Sequence, residues 1–176
     1  MGPRALAIIP IYLGPLGSMI EPLARGLQDR LDVTTREVLP WFDPEDAYDP
    51  SRGQYHSTRL LAALDRGAGL DFDRVLAVTA ADLFVPVLTY VFGEAQLGGR
   101  AAVVSVQRLR PEAYGLPPDP GLLARRLLIE ACHELGHCDG LLHCPDGDCV
   151  MHASTYVEEI DLKSPSRCPD CAAASG

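Results

Sequence analysis

Hydrophobic and polar positions along the chain follow two periods, one typical of buried strands and one typical of amphipathic helices. Residues 4–13 are mostly apolar and predict a buried strand, and residues 16–31 carry leucine and isoleucine at helical spacing and predict a helix. Residues 32–39, "DVTTREVL", are typical of a second strand. This order predicts parallel strands joined by right-handed crossovers.

The next part of the chain continues the alternation. A loop rich in proline and aspartate, residues 40–53, precedes a helix that we predict over residues 54–67. Residues 73–84, "DRVLAVTAADLF", are mostly apolar, as expected of a strand that is covered on both faces.

A hairpin is predicted between residues 89 and 109, where Gly98-Gly99 separates two runs of β-forming residues. Gly93 weakens the first run as an interior strand, so we expect it at an edge of the sheet. After a proline-rich loop, residues 121–138 predict the longest helix. Together the elements predict an α/β (α+β) fold with a twisted, mostly parallel sheet and an antiparallel edge strand.

Composition narrows the classes of partner. The chain of 176 residues is long enough for one domain with its own core. Its net charge of -9 repels phosphate, and its basic residues are scattered, so nucleic acid is not an expected partner. No apolar run reaches the length of a membrane span, so no membrane partner is expected. We expect a monomer.

The apolar start of the chain resembles a secretory signal only superficially, because prolines and glycines interrupt it and no small-x-small cleavage site ends it. No segment that could act as a latency peptide is expected before the first strand. We therefore predict a cytoplasmic protein, in which thiols stay reduced and clustered cysteines more often hold metal than form disulfides.

Histidine and cysteine are concentrated in one stretch. Residues 132–152, "CHELGHCDGLLHCPDGDCVMH", hold four of the six cysteines and four of the five histidines. The remaining histidine, His56, is best interpreted as a surface or hydrogen-bonded core residue. So strong a concentration indicates metal binding.

The histidines in this stretch have the spacing of a zinc site. His133 and His137 lie four residues apart, so a helix places both imidazoles on one face. Gly140 stands where a left-handed residue would end that helix and return the chain, which makes His143 the third ligand. With Glu134 these residues form H-E-x-x-H-x-x-G-x-x-H, the signature of the metzincin zinc peptidases.

Three neutral imidazoles leave zinc one position for water, whose pKa such a site lowers to about 7. Glu134 lies beside the first histidine, where it can take the proton of that water and pass it to a departing amine. This chemistry predicts hydrolysis of peptides or unfolded segments. Two alternatives stay open: a non-catalytic peptide-binding protein in which zinc only stabilises the fold, and a hydrolase of non-peptide amides.

Two close pairs of cysteines form a second pattern. Cys144 and Cys149 are spaced C-x4-C, and Cys168 and Cys171 are spaced C-x2-C, which suits a closed tetrahedral zinc site. We therefore expect two zinc ions per chain, one catalytic and one structural. A pair of disulfides or unrelated thiols is the less favoured alternative. Met151 stands two residues after Cys149 and is a candidate Met-turn. Its side chain would pack beneath the imidazoles without binding zinc.

These features together resemble the archaemetzincin family, whose mark is the metzincin histidine motif joined to four cysteines around the Met-turn. The resemblance rests on "HELGHCDGLLHCPDGDCVM" and "CPDC", and extends to "YDPSRGQYHSTRLL", "ADLFVPVLTYVFGEAQLGG" and "VSVQRLRPEAYG". It implies a metzincin-like fold, with an upper subdomain that includes the active-site helix (residues 1–140) and a lower one organised by the second zinc (residues 141–176). By position it implies three kinds of site residue: the catalytic zinc ligands His133, His137 and His143, the base Glu134, and the structural zinc ligands Cys144, Cys149, Cys168 and Cys171.

Cys132 and Cys138 belong to neither set of ligands. Each is about 100° around the helix from the neighbouring histidine, so burial as a small apolar side chain is expected. A regulatory thiol near the cleft is the alternative.

Residues near the predicted cleft have weaker signals. The edge run containing Phe92, Gly93 and Glu94 could pair with a substrate main chain, or it could be an edge that glycine and glutamate merely protect from pairing. Tyr156 and His152 could donate to a developing oxyanion, although a surface position is the more ordinary expectation for each.

Overall fold

The computed structural model of the chain describes residues 2–67 and 71–175. The strands are β1 (Arg4–Ile11), β2 (Val33–Glu37), β3 (Tyr48–Asp49), β4 (Gln54–His56), β5 (Arg74–Thr79), β6 (Leu83–Phe84), β7 (Gly93–Ala95) and β8 (Ala101–Ser105). The α-helices are α1 (Ile20–Gln28), α2 (Ser57–Asp65), α3 (Pro120–Cys138), α4 (Val157–Leu162) and α5 (Pro169–Ala174). Short 3₁₀ helices span Gly14–Met19, Pro44–Ala47 and Pro111–Tyr114.

The main sheet has the strand order β2-β1-β5-β8-β7. Every neighbouring pair is parallel except β7 with β8, which is antiparallel. The prediction of a mostly parallel sheet with an antiparallel edge strand is therefore confirmed, and the glycine-containing run is the edge.

Alternate side chains of the central strands enter two hydrophobic clusters, one on each face of the sheet. On β1, Leu6 and Ile8 face the cluster that contains α1 and α3, whereas Ala7 and Ile9 face the cluster that contains α2. Burial on both faces explains why these strands are apolar at nearly every position.

The predicted first helix begins later than its pattern suggests. Residues 14–19 form a 3₁₀ helix, and the α-helix spans Ile20–Gln28. Pro22 has no N–H and is tolerated only in the first turn of a helix, which prevents a regular α-helix from starting at residue 16.

The predictions of one other helix and of one strand were wrong in part. The predicted helix over 54–67 begins only at Ser57, because residues 54–56 form a strand of a small second sheet with the order β3-β4-β6. The predicted strand over 73–84 breaks after Thr79, whose hydroxyl accepts the N–H of Ala81, and Leu83–Phe84 joins the second sheet. Gln54 stabilises this arrangement by donating its amide to Asp82 over 2.9 Å.

Helix α3 lies across β7 and β8 and brings the histidine motif to the sheet. Asp119 caps its first turn by accepting the N–H of Leu122 over 2.9 Å. At its other end the carboxylate of Asp139 is buried and pairs with Arg4, Arg74 and Arg167. These ion pairs join the end of α3 to β1, β5 and the C-terminal segment.

The predicted division at residue 140 stays a prediction. Leu141, Val150 and Ile160 pack into the same hydrophobic cluster as α1 and α3, so the two parts share one core. Across residues 2–67 and 71–175, none of the helices has the length and apolar character needed to cross a membrane.

Candidate active site

The structure brings the three motif histidines together. One ring nitrogen from each of His133, His137 and His143 lies within 4.8 Å of the others. The Nε2 atoms of His133 and His137 are 3.1 Å apart. Two nitrogen atoms at about 2.05 Å from a tetrahedral zinc are separated by about 3.3 Å, so the spacing fits this ion.

Main-chain carbonyls orient two of these imidazoles. The Nδ1 atom of His133 lies 2.7 Å from the carbonyl of Val150, and that of His137 lies 2.7 Å from the carbonyl of Leu141. A carbonyl can only accept, so each Nδ1 carries the hydrogen, and in the neutral imidazole Nε2 then keeps its lone pair. This is the tautomer that a metal ligand needs, with the supporting hydrogen bond that usually accompanies it.

Gly140 creates the turn that brings in the third histidine. Its φ of 87° lies in the left-handed region, and its N–H donates to the carbonyl of His137 over 2.9 Å. Leu141 then donates to Gly136 over 3.0 Å, so the helix ends with the hydrogen bonds typical of a glycine C-cap. The left-handed glycine predicted from the motif is confirmed.

Glu134 is buried beside this cluster, with 5% of its surface exposed. Burial, followed by the charges of Glu130 and Glu94, raises the pKa of its carboxyl well above the usual value. Gly93 on the edge strand lies very close, because a Cβ atom there would be 2.7 Å from Oε1 of Glu134. A residue without a side chain at position 93 thus lets the edge strand approach the carboxylate.

A cleft of about 720 Å³ opens over the histidines and Glu134. One wall consists of residues 88–95, which include the edge strand β7, together with Leu97. The opposite wall consists of Leu142 and residues 153–156. An extended peptide laid along β7 would therefore pass over the histidine cluster.

The edge residues predicted to contact substrate have different positions. Phe92 is mostly buried and packs edge-on against Tyr90. The carboxylate of Glu94 accepts hydrogen bonds from the hydroxyls of Ser57 and Thr58 at the start of α2. All three predicted residues line the cleft, but the side chains of Phe92 and Glu94 have structural contacts of their own.

The four predicted cysteines also converge. The sulfur atoms of Cys144, Cys149, Cys168 and Cys171 lie within 4.8 Å of one another. The sulfurs of Cys144 and Cys168 are 3.7 Å apart, and two thiolates at about 2.3 Å from a tetrahedral zinc are separated by about 3.8 Å. The donor set and its spacing fit a closed zinc site.

Met151 connects the two clusters. Its N–H donates to the sulfur of Cys149 over 3.4 Å, and its carbonyl accepts the N–H of Cys144 over 3.0 Å. Its side chain is fully buried and packs against Gly136, which lies between the two helical histidines. Met151 thus lies against the helical turn that separates His133 from His137, and its role as a Met-turn stays a prediction.

Several other candidate residues do not belong to the histidine cluster. Cys132 and Cys138 are both buried as expected, and burial raises the pKa of each thiol to about 12. His56 packs against Phe84 on the second sheet. Tyr156 is exposed at the cleft wall, whereas Nδ1 of His152 donates to the carbonyl of Cys144 over 2.8 Å.

Two charged residues near the site escaped the sequence analysis. Glu130 lines the cleft one helical turn before Glu134, and Lys163 pairs with it in the interior. The four-residue spacing of the two glutamates was a visible signal for the first. Lys163 had none, because lysine is expected at the surface.

Comparison with known proteins agrees with this geometry. Residues 33–174 match the model of Peptidase family M54. The archaemetzincin of Methanocaldococcus jannaschii is 41% identical over 93% of this chain and 91% of its own length, and that of Methanopyrus kandleri is 50% identical over 85% and 86%. The crystal structure of the archaemetzincin from Methanopyrus kandleri superposes with a TM-score of 0.85 at 39% identity, covering 98% of this chain and 93% of the other.

Proposed function

This chain belongs to peptidase family M54 and is a zinc metallopeptidase, and from that premise we propose that Glu134 is the general base of its peptide hydrolysis. The observation that carries the proposal is the convergence of three imidazoles beside the buried carboxylate of Glu134, at the floor of a cleft with an edge strand in its wall.

We assign the catalytic zinc to His133, His137 and His143. Zinc held there would supply a Lewis acid, which would polarise the scissile carbonyl and lower the pKa of water. The hydrogen bonds from Nδ1 of His133 and His137 to main-chain carbonyls keep these rings directed at the ion.

Glu134 takes a proton from the attacking water and delivers it to the nitrogen of the leaving amine. Its position next to His133 keeps it within reach of the cleft floor without making it a ligand. The new C–O bond forms first, as Glu134 takes the proton, and the peptide C–N bond breaks afterwards, as the same carboxyl delivers that proton to the leaving nitrogen.

We propose that the substrate is an extended peptide or an unfolded segment. The outer edge of β7 offers main-chain groups to such a segment, and Gly93 lets β7 itself lie close to Glu134. One wall of the cleft comes from residues 88–95 with Leu97 and the other from Leu142 and residues 153–156. We propose that they belong to an upper subdomain, residues 1–140, and a lower one, residues 141–176.

We assign a second, structural zinc to Cys144, Cys149, Cys168 and Cys171, which gives two ions per chain. Its role is to hold the segment that carries His143 and Met151, because the main chain of Met151 is hydrogen-bonded to this cluster on both sides. Four grouped thiols stay reduced in a reducing compartment, so we propose a cytoplasmic location. We also propose that the protein acts as a monomer and that its partners are peptides, not nucleic acid or membranes.

The experiment is digestion of a broad peptide library by the wild type and by Glu134→Ala, with zinc measured in both. Wild type should cleave and the variant should not, although both should hold the same zinc. The matched control is Glu37→Ala, an exposed glutamate on β2, which should cleave as the wild type does. Cleavage by Glu134→Ala at the wild-type rate would contradict the role of Glu134 as the general base. If none of the three proteins cleaves any peptide, a peptide-binding role is favoured.

A further inference from the structure

Lys163 is a buried charge close to the Met-turn. The residue has 1% of its surface exposed and follows directly after α4. Its ammonium nitrogen lies 2.9 Å from the carbonyl of His152, 3.5 Å from that of Val150 and 3.6 Å from Oε1 of Glu130. The ammonium donates hydrogen bonds to the two carbonyls, and its contact with Glu130 is an ion pair.

Two of these oxygens flank Met151. The carbonyls of Val150 and His152 come immediately before and after it in the chain, so Lys163 contacts the main chain on both sides of the Met-turn. The N–H and carbonyl of Met151 itself are bonded to the cysteine segment instead. The turn therefore has two separate sets of contacts.

The contact with Val150 leads directly to the histidine cluster. The same carbonyl oxygen accepts the hydrogen on Nδ1 of His133 over 2.7 Å. The third contact, with Glu130, lies on α3 three residues before His133. Lys163 thus joins the acceptor that orients this imidazole to the helix that carries it.

Stability alone is a poor reason for such a pair. Removing two charges from water is costly, and apolar residues of similar volume often replace a buried pair without loss of stability. The carbonyls of Val150 and His152, in contrast, cannot be fixed by an apolar side chain.

We propose that Lys163 is a positioning residue for the histidine site, where it fixes the main chain around Met151 and, through the Val150 carbonyl, the ring of His133. The proposed role of Lys163 is in ion binding by these histidines. Only the effect of Lys163 on catalysis rests on the proposed function, so a failure to find peptide cleavage would leave the role in ion binding intact.

The test uses the double variant Lys163→Met/Glu130→Gln, which leaves no buried charge unpaired, beside Glu130→Gln alone and Lys163→Met. The control is Arg125→Met, because Arg125 holds the same segment from outside through the carbonyls of Asp161 and Lys163. In one sample of each protein zinc fills the cysteine site and cobalt the histidine site, so the visible cobalt bands report the histidines. In a second sample cobalt fills both sites, and its thiolate charge-transfer absorption reports the cysteine site. Release to a chelator is then followed for both signals.

We expect the double variant to release cobalt from the histidine site about tenfold faster than the wild type, the lower end of the effect of outer contacts on metal affinity. Its thiolate signal should decay at the wild-type rate. Arg125→Met should release cobalt from both sites as the wild type does. Glu130→Gln keeps Lys163 on both carbonyls but removes its counter-ion, so it should unfold at lower urea and release cobalt from the histidine site more slowly than the double variant does.

Lys163→Met should release as fast as the double variant but unfold at lower urea, because it leaves Glu130 unpaired. If it does not accumulate in folded form, the double variant carries the test. Wild-type release from the histidine site of the double variant would overturn the proposal and leave the pair a purely structural one. Equal acceleration in Arg125→Met would also overturn it, because general loosening of the segment would then suffice.

Discussion

Gly136 and Met151 are packed so closely that a Cβ atom on Gly136 would lie 2.2 Å from the sulfur of Met151. Gly136 belongs to the turn of α3 between His133 and His137, and the methionine is fully buried beneath it. The small residue inside the helical motif is therefore what admits the Met-turn to the floor of the site.

Replacing Gly136 with alanine should displace the methionine and weaken ion binding by the histidines. Overpacking costs about 1–3 kcal/mol, and better helix propensity returns about 0.5–1 kcal/mol, so we expect a net loss of roughly 1 kcal/mol in urea unfolding. Zinc should leave the histidine site faster. Gly121→Ala is the control, because its Cβ would meet only Asp119 at 3.5 Å. Equal zinc retention in both variants would contradict the role given to this contact.

The same kind of approach occurs between Gly93 and Glu134. An added Cβ at position 93 would lie 2.7 Å from both Oε1 of Glu134 and the carbonyl of Val103. Gly93→Ala should therefore shift the edge strand or the carboxylate and lower kcat/KM at least tenfold, since about 1.4 kcal/mol of lost transition-state stabilisation suffices. Zinc content should stay unchanged. Gly147→Ala, with open space around its Cβ, should keep full activity, and full activity in Gly93→Ala would count against a close approach of the base.

Loss of one thiolate should affect more than the cysteine site. Cys168→Ser should bind at most one zinc per chain and unfold at a clearly lower temperature, because a structural zinc contributes to folding directly. Zinc at the histidines should also be held less firmly, since Met151 is bonded to the cysteine segment. Cys132→Ala, a buried thiol outside the cluster, should keep two zinc ions. Two ions in Cys168→Ser would disprove a four-cysteine site.

The ion pairs around Asp139 should dominate the stability of the end of α3. The side chain of Asp139 is 5% exposed, and its partners Arg4, Arg74 and Arg167 are exposed by 35%, 22% and 13%. Breaking a buried pair costs about 3–5 kcal/mol, and partial exposure of the arginines reduces this, so Asp139→Asn should cost about 2–3 kcal/mol in urea unfolding. Glu21→Gln, which removes an exposed pair with Arg25, should change stability by less than about 0.5 kcal/mol. Similar losses in the two variants would contradict this ranking.

Hydrophobic periodicity predicted the main sheet and the long helix well, because those elements bury apolar faces that repeat every two or 3.6 residues. It missed the second sheet. Strands of two or three residues have no period to detect, and contacts between residues far apart in sequence stabilise them, such as Gln54 with Asp82.

The candidate site, too, was predicted only in part from the sequence. Ligand spacing within one helix and one turn predicted which histidines would meet, since local geometry almost dictates their positions. The cysteines were predicted from their two close pairs, although Cys144 and Cys168 are 24 residues apart and meet only through the fold. Lys163 and Glu130 could not be paired from the sequence, because their contact depends on how α4 packs against α3.

The most direct test of the account is the rate of peptide hydrolysis as a function of zinc bound at the histidine cluster, in protein that keeps zinc at its cysteines throughout. The rate should rise in proportion to occupancy of the histidine site, return fully when zinc is restored to depleted protein, and stay at background in His143→Ala. Hydrolysis at the full rate with the histidine site empty would contradict the account.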